Sequence, residues 1–320
     1  MKIRSPGDAL YLLRFALRAL PPSVMFKRFS AQMQKPFIVA RYTNPDGTIS
    51  SRPRPFLAVL ASVFGLARRP PAPIEPVGDV LECHRQGARL DITCQRGVVR
   101  LEFLAPDLVR VRLSRDGSFD EPRSYAVEKT QWAPVPTAFS EANDYIELRS
   151  ERLVCRVERA PCRLAFATPD GRLIARQARG MGWRGRGAWC SHQLPAGAYV
   201  YGLGEKAFGL ARQGRCYVLW NSDPEMYDYG EDSLYTSIPF FIVLHQGVAY
   251  GIFLDNPFRS TFDFGVSSPE EYTFAAAGGE LRYYFIWGPD MAPILERYTE
   301  LTGRMPLPPL WALGYQQCRW

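Results

Sequence analysis

The sequence predicts an antiparallel β-sandwich over most of its length, and three observations carry that expectation. Short apolar/polar alternations recur between residues 77 and 288, turn signals separate several of them, and no long helical pattern intervenes. Arg89–Cys94, Val98–Phe103 and Leu108–Leu113 alternate with period two, and Pro106 with Asp107 marks the turn between the last two. Similar runs cover Tyr145–Leu148, Leu153–Val157, Leu164–Ala167, Tyr199–Leu203, Tyr217–Trp220, Ile238–Leu244, Tyr250–Leu254, Thr261–Phe264 and Leu281–Trp287. Pro169-Asp170-Gly171 is a further turn, and no internal repeat is visible at a fixed period.

The flanks read differently. Residues 1–76 form a basic arm that ends in a linker, where residues 68–76 hold four prolines. Within the arm, Leu10–Leu20 has the spacing of an amphipathic helix, with Arg14 and Arg18 one turn apart. It makes a poor signal peptide, because arginines interrupt its apolar run. The second apolar run, Phe56–Ala67, is shorter than the roughly 20 residues a bilayer requires. Peripheral membrane contact through residues 1–67 is one reading, and an appended, partly ordered arm that packs on a part of the protein beyond this chain is the preferred one. In residues 289–320, Asp290 is a good N-cap, and Ile294, Leu295, Tyr298 and Leu301 recur at helical spacing until Gly303. Pro306, Pro308 and Pro309 then hold the chain extended, and Trp311–Trp320 is apolar enough for a buried strand. A buried strand without a partner leaves its backbone groups unpaired, so the protein is expected to continue beyond it.

Charge and cysteine usage narrow the function classes. Of the net charge of +7, residues 1–76 carry +9, from twelve Lys or Arg against three acids, and the rest carries −2. The folded body therefore lacks the basic surface that nucleic-acid binding requires. The seven cysteines are odd in number, scattered and without a C-x-x-C pair, which favours reduced thiols in a cytoplasm over a disulfide framework or zinc site. Three histidines, His84, His192 and His245, supply a histidine-based triad poorly.

Two stretches carry candidate chemistry. In Tyr199–Ala207, Gly202, Gly204 and Ala207 have dinucleotide-binding spacing, but Gly209 and Gly214 leave too little chain for the crossover helix. The alternative is that small residues allow a tight strand-to-loop turn, beside which Glu205 and Lys206 form a local pair. The second stretch, Trp220–Phe240, interleaves Asp223, Glu225, Asp228, Glu231 and Asp232 with Trp220, Tyr227, Tyr229 and Tyr235. Carboxylates accept hydrogen bonds from paired sugar hydroxyls and aromatic rings pack on sugar C–H faces, so the mixture suits carbohydrate recognition. The D-x-D-x-D-G spacing of a calcium loop is absent, and a solvated acidic turn is the alternative.

Arg297–Arg319 closely resembles the junction between domains in glycoside hydrolase family 31, the α-glucosidase and α-xylosidase family. From about Gly87 onward the chain is similar to that family's N-terminal domain. The resemblance implies a galactose-mutarotase-like sandwich at 77–288, then a connecting helix, a proline hinge and the first strand of a (β/α)8 barrel at 289–320. It places the Tyr-Gly-Leu-Gly-Glu motif of residues 201–205 on the surface facing the barrel. It also implies that the Trp220–Phe240 loop lines the sugar pocket, with Asp223 touching substrate hydroxyls and Tyr227 and Tyr229 beside it. Ser237–Phe241 and Gly251–Asn256 also match, as packing segments. The retaining reaction uses two carboxyl groups about 5 Å apart, which the family takes from later barrel strands, so no residue here is assigned to catalysis. No metal or cofactor is implied. The expected partners are an α-linked oligosaccharide or glycoside and the barrel domain. Alone the chain is expected to be inactive, the alternatives being a stand-alone carbohydrate-binding module and a membrane-associated scaffold.

Overall fold

The computed structural model describes residues 72–119, 124–224 and 227–317. The helical arm, the membrane contact through residues 1–67 and the side chains of Glu225 and Cys318 lie outside them. Two antiparallel sheets pack face to face. Edge to edge, the first runs β13 (Cys216–Leu219), β16 (Ser260–Phe264), β17 (Glu271–Ala276), β11 (Gly187–Gln193), β10 (Leu173–Arg184), β9 (Cys162–Ala167), β8 (Val154–Arg159), β7 (Tyr145–Arg149) and β6 (Ala138–Glu141). β1 (Ile74–Pro76) adds to β10, so strand pairing begins inside the stretch read as a linker. The second sheet runs β12 (Tyr199–Gly204), β14 (Ser237–His245), β15 (Val248–Leu254), β18 (Leu281–Gly288), β5 (Leu108–Ser114), β4 (Gly97–Ala105), β3 (Arg89–Cys94) and β2 (Val80–Gln86).

Alternation does the positioning. β3 and β4 bury every second residue, Leu90, Ile92 and Cys94 on one and Val99, Leu101, Phe103 and Ala105 on the other. All of these but Ala105 meet Leu148, Val157, Leu164 and Phe166 from the facing sheet in one core, within which the Phe166 and Phe285 rings stack at 3.8 Å.

α1 (Met291–Thr302) follows β18. Asp290 accepts a hydrogen bond from Ala292 N at 2.9 Å, and Gly303 ends the helix at a φ of 92°, which favours glycine. Ile294, Tyr298 and Leu301 pack with Phe240, Phe253 and Tyr284 on the outer face of the second sheet. Gly251 makes room there, because a Cβ on it would lie 2.7 Å from Ile294 Cγ2.

The strand expected at Trp311–Trp320 is not seen among the described residues. Leu310–Leu313 forms a 3-10 turn, and Leu310, Trp311 and Tyr315 are each more than 80% exposed. A strand takes its hydrogen bonds from a neighbour, and none of the described strands of either sheet pairs with this segment.

Candidate functional site

The loop between β13 and β14 is tied down at its stem and open at its tip. Ser222 N donates to Leu234 O at 3.0 Å, Ser237 N to Asn221 Oδ1 at 3.0 Å, and Tyr235 Oη to Pro224 O at 2.8 Å. A second set of bonds joins it to the turn after β12. Glu205 N donates to Thr236 O at 3.0 Å, and Gly230 N to Ala207 O at 2.7 Å. Gly202 lets β12 come close, since its φ is 128° and a Cβ would lie 2.4 Å from Phe240 O. That close approach is the tight-turn reading of the glycines.

Lys206 does not pair with its neighbour Glu205. Its Nζ lies 2.5 Å from Asp232 Oδ1 and donates to Val218 O at 2.8 Å, and its side chain is fully buried. Asp232 in turn accepts from Val218 N and, at 2.7 Å, from Ser233 N. Burial pulls the Lys206 ammonium below the ordinary lysine range, and the Asp232 carboxylate opposes that. A separation of 26 residues and a buried stem hid this pair from sequence reading.

On the stem itself, between the bonded residues Ser222 and Pro224, Asp223 is exposed and its carboxylate makes no hydrogen bond or ion pair with a described residue. Tyr227 and Tyr229 are also exposed, at 46% and 74%. Their rings rest edge-on against different neighbours, Tyr227 on Tyr235 at 6.2 Å and Tyr229 on Phe208 at 6.0 Å. No hydrogen bond joins either phenol to Asp223 among the described residues. The four described carboxylates thus divide. Asp232 is structural, Asp223 and Asp228 face solvent, and Glu231 is half-buried.

Beside the stem lies a cavity of about 490 Å³ lined by Trp220, Asn221, Ser237, Pro239, Asp255, Asn256 and Phe258, among others. Asp255 on its wall is buried, accepting from Ser124 Oγ at 2.7 Å and facing Arg282 Nε at 2.9 Å. Among the described residues, no three His, Cys, Asp or Glu side chains are grouped to hold a metal ion. No helix among them is long and apolar enough to cross a membrane. What the loop offers is an open carboxylate acceptor and exposed aromatic rings on an anchored frame.

Two packed antiparallel sheets with a carboxylate- and tyrosine-bearing loop at one edge define the class, an antiparallel two-sheet β-sandwich. Residues 98–263 match the model of the glycosyl hydrolase 31 N-terminal galactose mutarotase-like domain. This chain belongs to glycoside hydrolase family 31. Alpha-glucosidase 2 of Bacillus thermoamyloliquefaciens is 37% identical over 230 residues, which cover 71% of this chain and 29% of that protein. Alpha-xylosidase XylQ of Lactiplantibacillus pentosus is 36% identical over 115 residues, covering 36% of this chain and 14% of that protein. A family 31 dextranase of Flavobacterium johnsoniae, solved with isomaltotriose, superposes with a TM-score of 0.70 at 32% identity, over 75% of this chain and 30% of that one. The chain thus spans under a third of the length of these relatives.

Proposed function

We propose that this chain is the N-terminal part of a retaining α-glycosidase and that its Trp220–Thr236 loop lines the sugar pocket. Asp223 accepts hydrogen bonds from substrate hydroxyls, and Tyr227 and Tyr229 pack on the sugar's C–H faces. The observation that carries the reading is Asp223 itself, an exposed carboxylate with no described partner on a loop fastened at its stem. Membership of family 31 supports the substrate class, an α-linked oligosaccharide or glycoside. We assign the nucleophile and the general acid to carboxylates outside residues 1–320, carried by a barrel domain. By itself the chain then hydrolyses nothing. The odd set of cysteines, with six free among the described residues, favours a cytoplasmic setting.

The test is Asp223→Ala in the full-length protein, assayed on isomaltotriose and maltotriose. Loss of charge-assisted hydrogen bonds to hydroxyls is expected to lower kcat/KM by about 10- to 100-fold. An unchanged kcat/KM on both sugars overturns the loop's role. Sugar binding by the isolated chain, lost on the same substitution and without turnover in any longer product, would instead support a stand-alone carbohydrate-binding module.

A further inference from the structure

We propose that Lys206 is a positioning residue, which through Asp232 holds the Asp223 loop in its sugar-accepting shape. The inference rests on the sugar-pocket reading above for its functional half only. Its structural half stands on the contacts. The fully buried Lys206 Nζ reaches Asp232 Oδ1 at 2.5 Å and Val218 O at 2.8 Å. Asp232 bonds the amides of Val218 and Ser233, so one ion pair ties the turn after β12, the strand entering the loop and the segment leaving it. A lysine bonded only at the surface would not do this. Both ends of the loop converge on one ammonium group, and Asp223 lies in the segment that the clip closes, between Val218 and Asp232. Removing the ammonium leaves a half-buried carboxylate without its cation and Val218 O without its donor, and the loop gains alternative shapes. Asp223 is then correctly placed for only a fraction of the time, which weakens sugar binding in proportion to that fraction.

The experiment compares Lys206→Met with the double variant Lys206→Met/Asp232→Asn in the full-length protein. The double variant removes both charges while keeping an acceptor for Val218 N, so it remains informative if the single variant fails to fold. Hydrogen–deuterium exchange is expected to quicken by about tenfold or more for amides 218–234, with the β14–β15 pair unchanged. KM for isomaltotriose is expected to rise about tenfold with kcat nearly constant, and to rise no further when Lys206→Met is added to Asp223→Ala. Unchanged exchange at 218–234 in a folded variant overturns the clip. Faster exchange with unchanged KM, while Asp223→Ala still raises KM, overturns its positioning role. If Asp223→Ala itself leaves KM untouched, the sugar-pocket reading has failed, and the exchange result still decides the clip.

Discussion

His192 shows how one side chain sets a pH limit on the whole sandwich. It is fully buried on β11, its ring stacks on Tyr272 at 5.2 Å, and neither ring nitrogen has a hydrogen-bond partner among the described residues. Burial pushes its pKa down from 6.5 to about 3, so the folded protein holds it neutral. For a base whose folded pKa is depressed, stability is complete above the unfolded value and is lost as pH falls from about 6.5 towards 3, because only the unfolded chain takes the proton. The expected slope from this group is about 1.4 kcal/mol per pH unit within that window. Urea unfolding at pH 7, 5 and 4 checks it. His192→Phe should remove this part of the slope, and an unaltered slope would show that other groups carry the acid sensitivity. In the sequence, His192 was merely one of three histidines too few for a triad. Its burial follows from β11, whose Gly187–His192 run is buried on both faces and so shows no alternation to read.

At the scale of elements, α1 is held by more than its apolar stripe. Leu301 O accepts from Glu128 N at 3.0 Å and Lys129 N at 3.1 Å, which satisfies a carbonyl at the helix end. Arg297 Nε donates to Asp107 Oδ1 at 2.9 Å, while Arg152 holds the other oxygen of the same buried carboxylate at 2.8 Å. Leu301→Ala is expected to cost about 3 kcal/mol by opening a cavity against the second sheet. A shift of the urea midpoint checks this, and a change under about 0.5 kcal/mol would mean that the polar ties alone seat the helix. The N-cap and the stop of α1 were legible, since each depends on neighbours within a few residues, and so was the stripe apart from Leu295, which is exposed. Asp107 was legible only as a turn residue, because its arginine partners lie 45 and 190 positions away. β10 escaped for a different reason. A register shift between Gln177 and Gly180 breaks its period of two, and the strand changes partner from β9 to β11 as it passes. For Trp311–Trp320 apolar content describes a strand's faces and says nothing of the neighbour it pairs with, and none of the described strands supplies one.

For the molecule as a whole, the sandwich could be read because its inner faces are built from alternating runs, whereas of the proposed site only the residue types of its loop were legible. By type, carboxylate and aromatic residues crowd into one loop, and the family resemblance alone singled out Asp223, Tyr227 and Tyr229 among them. The stem that fixes them is made by pairing between distant segments and left no local signature. That stem has a consequence for the molecule among its own copies. β13 ends the first sheet, and a terminal strand offers its outward backbone groups to any passing strand. At Val218 both groups are already taken, the N–H by Asp232 and the C=O by Lys206. The charged pair thus stands where the next strand of a second molecule would lie, as a stopper on a template. Its removal should make the protein self-associate on warming, with light scattering rising in Lys206→Met/Asp232→Ala before the far-ultraviolet signal falls, whereas scattering that only follows unfolding would show the edge to be guarded by something else.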